Sequence, residues 1–221
     1  MTAAKAVRVQ WLRTADDAVR AEAHRLVTAV MELGGAVGWL GVPSRAESDE
    51  WLAGVLDSVA AGRSRVAVLR DAGGTGPLSA LGRWTWYDKP TVSVNAEILQ
   101  VMVHPAARGR GLARTLLATL VEDARAHGVE TLTLDVRGNN HAAMALYERT
   151  GFEVYGRLPD FVGVGAERWD RVLYRLDLRK ADYPVRRHGS RPVGAGSSTI
   201  RPSVPNRTGP GSALARPPDG P

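Results

Sequence analysis

The sequence predicts an α/β fold, a single mixed sheet with helices on both faces. Three observations carry this. Short β-branched runs of alternating polarity take turns along the chain with longer segments whose apolar residues recur at helical spacing. Each longer segment ends at a glycine, the usual helix stop. The chain has 221 residues, 44% hydrophobic and 24% charged, enough for one domain with a sizeable core.

The elements follow in order. Val7 to Leu12 alternates as a strand does, and Thr14 with Asp17 signals a helix start. That helix runs towards Glu32 and stops at Gly34-Gly35; a second spans about Asp49 to Ala61 and ends at Gly62. Ser64 to Arg70 is β-branched and strand-like, followed by the turn DAGGTGP. Leu78 to Tyr87 and Val92 to Val103 read as two strands joined by a turn containing DKP. From Gly109 to His127 a helix places Leu112, Leu116, Leu117, Leu120 and Val121 on one face, and Gly128 caps it. Then come strand Thr131 to Val136, helix Asn140 to Thr150, strand Phe152 to Arg157 and a last strand Asp170 to Leu178.

Composition excludes several functions. Without cysteine there is no disulfide, thiolate metal site or cysteine nucleophile. The histidines at 24, 104, 127, 141 and 188 lack ligand spacing, so no metal is expected. No G-x-S-x-G elbow is present for a serine hydrolase. No apolar run has the length of a membrane span, and the first residues lack a signal-peptide core, so the expected location is cytoplasmic, with no membrane partner. The net charge of +6 points at first to nucleic acid. Residues 181–221, however, hold six arginines against two aspartates, so the rest of the chain is close to neutral. The same segment holds eight of the thirteen prolines and few large apolar residues, and is expected to be a disordered tail behind a domain of residues 1–180. No nucleic-acid partner is expected, although an RNA-associated tail would predict salt-sensitive binding.

The stretch VHPAARGRGLARTLL, from Val103, joins a strand to a helix through two glycines and two arginines. Glycine turns feeding helices favour anions, because free amides and the helix dipole point at them. The dinucleotide fingerprint fails at Arg114, and no Gly-Lys pair completes a P-loop. What remains is Arg108-x-x-Gly111-x-Ala113. Amides of Gly109, Arg110, Gly111, Leu112, Ala113 and Arg114 could close on a pyrophosphate, with Arg108, Arg110 and Arg114 adding charge-assisted bonds. A plain helix start with solvated arginines fits this motif equally well.

A second motif separates the two. NHAAMALYERTGF places Asn140, Ala143, Leu146 and Tyr147 along one helix before Gly151-Phe152. Together the motifs resemble the GNAT acetyltransferase superfamily, whose members transfer an acetyl group from acetyl-CoA to an amine. The resemblance covers roughly residues 5 to 178 and implies a mostly antiparallel mixed sheet. Three stretches, GGAVGWL at Gly34, NAEILQVMVHPAARGRGLA at Asn95 and YGRLPDFVGVG at Tyr155, are most similar to the tabtoxin-resistance type of small-molecule acetyltransferase. LDVRGNNHAAMALYERTGF resembles ribosomal-protein N-terminal acetyltransferases instead. These settle the donor as acetyl-CoA and leave the acceptor open between a small amine and a protein N-terminus. A non-catalytic acyl-CoA-binding regulatory domain is the rival from another class, and the expected assembly is a monomer or homodimer.

Acetyl transfer needs a neutral amine, a stabilised oxyanion and a proton for the departing thiolate. A lysine-like amine, with a pKa of about 10.4, is neutral in about one molecule per thousand near physiological pH, so deprotonation costs about 4 kcal/mol and a base is useful. An α-amine, with a pKa of about 8, needs far less help. The resemblance implies Tyr147 as proton donor, Asn140 on the pantetheine arm or capping its helix, and main-chain bonds from Val101, Met102 and Val103, with Val103 N–H as oxyanion donor. Two carboxylates compete as base, Glu97 and Asp135, and a water relay is also open. With no cysteine nucleophile, direct attack in a ternary complex is expected. Trp39, Trp51, Trp84 and Trp86 are read as core or as lining for the acceptor pocket.

Overall fold

The computed structural model describes residues 7–35 and 37–180; the segment expected to be a tail lies outside the described residues. Among the described residues, seven strands form one sheet: β1 (Arg8–Leu12), β2 (Ser64–Arg70), β3 (Leu78–Trp86), β4 (Asn95–Val103), β5 (Thr131–Arg137), β6 (Glu153–Val164) and β7 (Glu167–Asp177). Four α-helices accompany them: α1 (Asp17–Glu32), α2 (Arg45–Ala60), α3 (Leu112–Ala126) and α4 (His141–Arg149). The strand order is β1-β2-β3-β4-β5-β7-β6. Every neighbouring pair is antiparallel except β4 and β5, which the helical crossover through α3 makes parallel.

The period of two along each strand assigns the faces. In β2, Val66 and Val68 pack with Leu26, Val27 and Val30 of α1, while Ala67 and Leu69 pack with the α3 leucines on the other side. The stripe expected on α3 is buried as a set, with Leu116, Leu117 and Leu120 fully enclosed. Each such leucine contributes about 1.5–3 kcal/mol of transfer free energy. Asp123 then fixes α3 to the sheet, accepting from Arg65 Nε and Nη2 at 3.0 and 2.9 Å and from Trp84 Nε1 at 3.0 Å. Trp84 and Trp86 therefore belong to the α3 side, whereas Trp39 and Trp51 meet edge-on, 5.4 Å apart, beside α1.

Several boundaries differ from the sequence expectation. Asp16 caps α1, accepting from Val19 N–H at 2.9 Å. The second helix begins at Arg45, because Ser44 and Glu47 form a reciprocal capping box. Val92 ends a 3-10 turn from Pro90, and β4 starts later, at Asn95. The largest difference is β6, which passes through Pro159 to Val164. Its register runs from Leu158 opposite Arg171 to Val162 opposite Trp169, so a bulge at Pro159–Phe161 absorbs the proline. Asp160 takes φ +52° there, and Phe161 is set 5.6 Å from the Arg171 guanidinium.

Candidate active site

Strands β4 and β5 pair only from Asn95 opposite Thr131 to Glu97 opposite Thr133, and then part. The cause lies on β4, where Gln100 takes φ +55° and the register against β3 shifts between Leu81 and Arg83. Arg83 Nε donates to Gln100 Oε1 at 2.7 Å and holds this bulge. Gly82 beside it lies close under α3, where a Cβ would come within 3.1 Å of Leu116 and Leu120. Past the bulge, His104 N–H donates to Ser79 C=O at 2.8 Å. Main-chain groups alternate along a strand, so Val103 N–H turns the opposite way, into the parting.

Beyond Val103 the chain makes a 3-10 turn at Pro105–Ala107 and enters α3 through Gly109 and Gly111, both at φ +75°. Left-handed backbone favours glycine, and an added Cβ at either position would meet nothing within 4 Å, so space lies open in front of the turn. The first intrahelical bond runs from Thr115 N–H to Gly111 C=O. Among the described residues, the amides of Gly109, Arg110, Gly111, Leu112, Ala113 and Arg114 have no acceptor. Six donors at a helix N-terminus form an anion cradle. Arg108 and Arg114 are exposed beside it. The Arg110 side chain is committed elsewhere: its Nη1 and Nη2 donate to Asp71 at 2.9 and 2.7 Å, so Arg110 offers the cradle its amide.

Helix α4 begins at Asn140, whose side chain accepts from Ala143 N–H at 3.2 Å; its capping role is thus observed directly. About two turns later Tyr147 points into the core, 8% exposed, with its ring 6.0 Å from Phe152 and 5.8 Å from Tyr174. Its hydroxyl has no hydrogen-bond partner among the described residues. Burial, with the charge of Asp135 adding to it, pushes its pKa up to about 12.

On the sheet face opposite α3, beside the parting, polar side chains converge from four strands. Asp135 accepts from Arg171 Nη2 at 2.6 Å. Tyr87 hydroxyl and Thr133 hydroxyl share a hydrogen bond at 2.5 Å. Glu97 is half-buried with neither a hydrogen bond nor an ion pair among the described residues. Burial raises its pKa above the usual carboxylate range; Asp135 adds to this, and Arg171 and Arg83 oppose it. Glu97 and Asp135 thus share one face of the sheet, each within reach of the other's charge, whereas Tyr147 packs in the α3-side cluster and of the two feels only the charge of Asp135. Asp71, Arg83, Tyr87 and Arg171 were absent from the sequence expectation. Arginines on a strand read as a solvated face, and only the register of β3, β4, β5 and β7 gathers these.

The free amides, the open glycine turn and the parted strands fit a pyrophosphate followed by an extended arm with amides of its own, the chemistry of acetyl-CoA. The sequence profile of the Acetyltransferase (GNAT) family matches residues 9–152, more than half of the chain. The chain belongs to the GNAT acetyltransferase family. Among relatives within that family, the L-methionine sulfoximine/L-methionine sulfone acetyltransferase of Salmonella typhimurium is 34% identical over 101 residues, covering 45% of this chain and 57% of the relative. The [ribosomal protein bS18]-alanine N-acetyltransferase of Escherichia coli is 44% identical over 83 residues, 38% of this chain and 56% of that one. The chain therefore matches a little over half the length of these curated relatives. Of the solved structures, yncA from Salmonella typhimurium with its cofactor acetyl-CoA superposes with a TM-score of 0.64 at 22% identity, over 80% of this chain and 97% of that one. At that identity the likeness speaks for the GNAT fold. Among the described residues no helix is long and apolar enough to cross a membrane, and no group of three or more His, Cys, Asp or Glu could hold a metal ion.

Proposed function

We propose that the protein is an acetyl-CoA-dependent N-acetyltransferase that acts on a primary amine of a small molecule, with direct attack in a ternary complex. Glu97 carries the proposal: an unpaired, half-buried carboxylate with a raised pKa, at the last rung before the strands part. A carboxylate so tuned takes a proton from an ammonium more readily than an ordinary one. Asp135, tied to Arg171, is the less available base and orients the site instead. Acetyl-CoA, when bound, supplies the activated acetyl thioester. The amides from Gly109 to Arg114 hold its pyrophosphate, and the β4 edge from Val101 through Met102 to Val103 runs beside its arm. Val103 N–H stabilises developing negative charge on the acyl oxygen, and Tyr147 offers its hydroxyl to the departing sulfur. Asn140 orders α4 and so aims Tyr147.

A small acceptor is supported by the stretches that resemble tabtoxin-resistance acetyltransferases. A protein N-terminus is the alternative, supported by the stretch around Asn140. Free thiol release from acetyl-CoA across a panel of amines and N-terminal peptides tests the proposal. Release with a small amine is the expected result. Binding of acetyl-CoA without release for any acceptor would instead favour a regulatory acyl-CoA-binding domain.

A further inference from the structure

We infer that Arg83 is the anchor for a carboxylate on the acceptor, so that the substrate is an α-amino acid held between Arg83 and Glu97. The inference rests on the acetyltransferase proposed above.

Glu97 lies opposite Thr85 in the β3–β4 register, and Arg83 lies two residues further along β3. Side chains of the same parity share a face, so both belong to the face opposite α3, at the diagonal separation of about 7 Å between backbones that long side chains can bridge. Arg83 is half-buried and carries five N–H donors. Its Nε is committed to Gln100. Neither terminal nitrogen has a partner among the described residues, and neither is sealed from solvent. Burial accordingly presses the guanidinium pKa down, with only the distant charge of Glu97 working against it.

The two groups feel each other's charge without forming an ion pair. The neighbouring pair behaves otherwise, since Asp135 and Arg171 close on each other at 2.6 Å. A cation and an anion held half-buried and apart are both satisfied by a ligand that carries the opposite charges at short spacing. An α-amino acid does so across a single carbon, with its amino group towards Glu97 and its carboxylate towards the open fork of Arg83. Guanidinium–carboxylate pairing of this kind is planar and bidentate, which fixes the amine's position as well as its affinity. A peptide N-terminus has an amide where the amino acid has its carboxylate, and leaves the Arg83 charge unmatched.

The test compares three forms of one side chain with wild-type protein: L-methionine, L-methioninamide and 3-(methylthio)propylamine, each followed by thiol release from acetyl-CoA. The same set is run with leucine, leucinamide and isopentylamine. Loss of the carboxylate should raise KM by about 10- to 100-fold, the range for one charged hydrogen-bonded contact, with kcat changed less. Arg83→Gln should bring the KM for the acid up to that for the amide within the same variant, so that discrimination disappears. Arg83→Lys, which keeps the charge and loses the fork, should recover part of it. Equal KM for acid and amide in the wild type overturns the inference while leaving acetyl transfer intact. So does acid preference that survives in Arg83→Gln, or turnover confined to peptides. Absence of thiol release with every amine removes the acetyltransferase proposal and this inference with it.

Discussion

Replacing Tyr147 by phenylalanine separates its chemistry from its packing. The ring contacts with Phe152 and Tyr174 survive, and the deleted hydroxyl has no partner to orphan among the described residues. Folding stability at neutral pH should therefore change by less than about 0.5 kcal/mol, as for a substitution outside the usual destabilising mechanisms. The catalytic effect follows from the proton affinity. A phenol pushed up to about 12 is a weak acid towards a thiolate whose parent thiol titrates at about 8.5. Complete proton transfer would be uphill by roughly 5 kcal/mol, so the hydroxyl helps mainly by hydrogen-bonding the developing thiolate. That contribution is at the low end for an acid catalyst, and kcat should fall by about 10- to 100-fold, with acetyl-CoA affinity nearly unchanged. Thiol-release kinetics with a pre-steady-state check that chemistry limits turnover, beside calorimetric titration, measures both. A wild-type kcat under those conditions refutes the role assigned to Tyr147. The raised pKa has a second signature. Between about pH 10 and the folded value of about 12, the unfolded chain loses this proton and the native state keeps it. Wild-type stability should therefore fall with rising pH in that window, by up to roughly 3 kcal/mol from this group, and Tyr147→Phe should lack that portion.

Glu97→Gln should abolish the acid limb of the kcat/KM profile and lose most activity at low pH, where the acceptor is most protonated; Asp135→Asn should keep the limb and lose less. Because the fold raises the Glu97 pKa, the native state resists its ionisation, and stability from this group is lost as pH rises through its folded value. Glu97→Gln should thus melt above wild type at neutral pH, with the difference vanishing below the ordinary carboxylate pKa of about 4.3. Asp71→Asn removes the charge that holds Arg110 and should weaken acetyl-CoA binding about 5- to 30-fold in calorimetry, the worth of a partly shielded bidentate pair, with kcat nearly constant. An unchanged Kd would show that the glycine turn keeps its shape alone. A chain ending at Lys180 should keep the Tm and kcat of the full chain, measured by melting and thiol release; a large loss in either would mean that the last residues contribute to the fold or the site.

The α3 stripe, the alternation in β2 and the glycine stops were legible because each is a local pattern with one physical meaning. The sequence expectation ends this strand at Arg157, whereas β6 continues through Pro159; a proline argues against a strand interior, and nothing local announces a bulge that absorbs it. The start of α2 was legible in principle, since Ser44-x-x-Glu47 is a capping box, and the expected start near Asp49 passes over it. For the site, Glu97, Asp135, Tyr147 and the glycine turn came from motifs within single segments. Asp71 and Arg110 are 39 residues apart, and Arg83 meets Glu97 only through the β3–β4 register. Pairings of that kind depend on tertiary geometry, and one sequence carries no local sign of them.

The bulge in β6 bears on how the molecule behaves in a crowded solution. β6 is the outermost strand beyond β7, and Val154, Tyr155, Leu158 and Phe161 along it are all exposed. A flat edge of twelve residues with that content would be a template for another chain's backbone to add to. The proline removes a donor in the middle of the edge, and the left-handed Asp160 turns the backbone out of the plane of the sheet. What is left is a run of three residues after the kink and one of six before it, itself interrupted by a second register shift between Val154 and Gly156, so neither offers the unbroken six or seven residues that a stacked cross-strand assembly needs. The irregularity that sets Phe161 over Arg171 thus also breaks the edge against self-association.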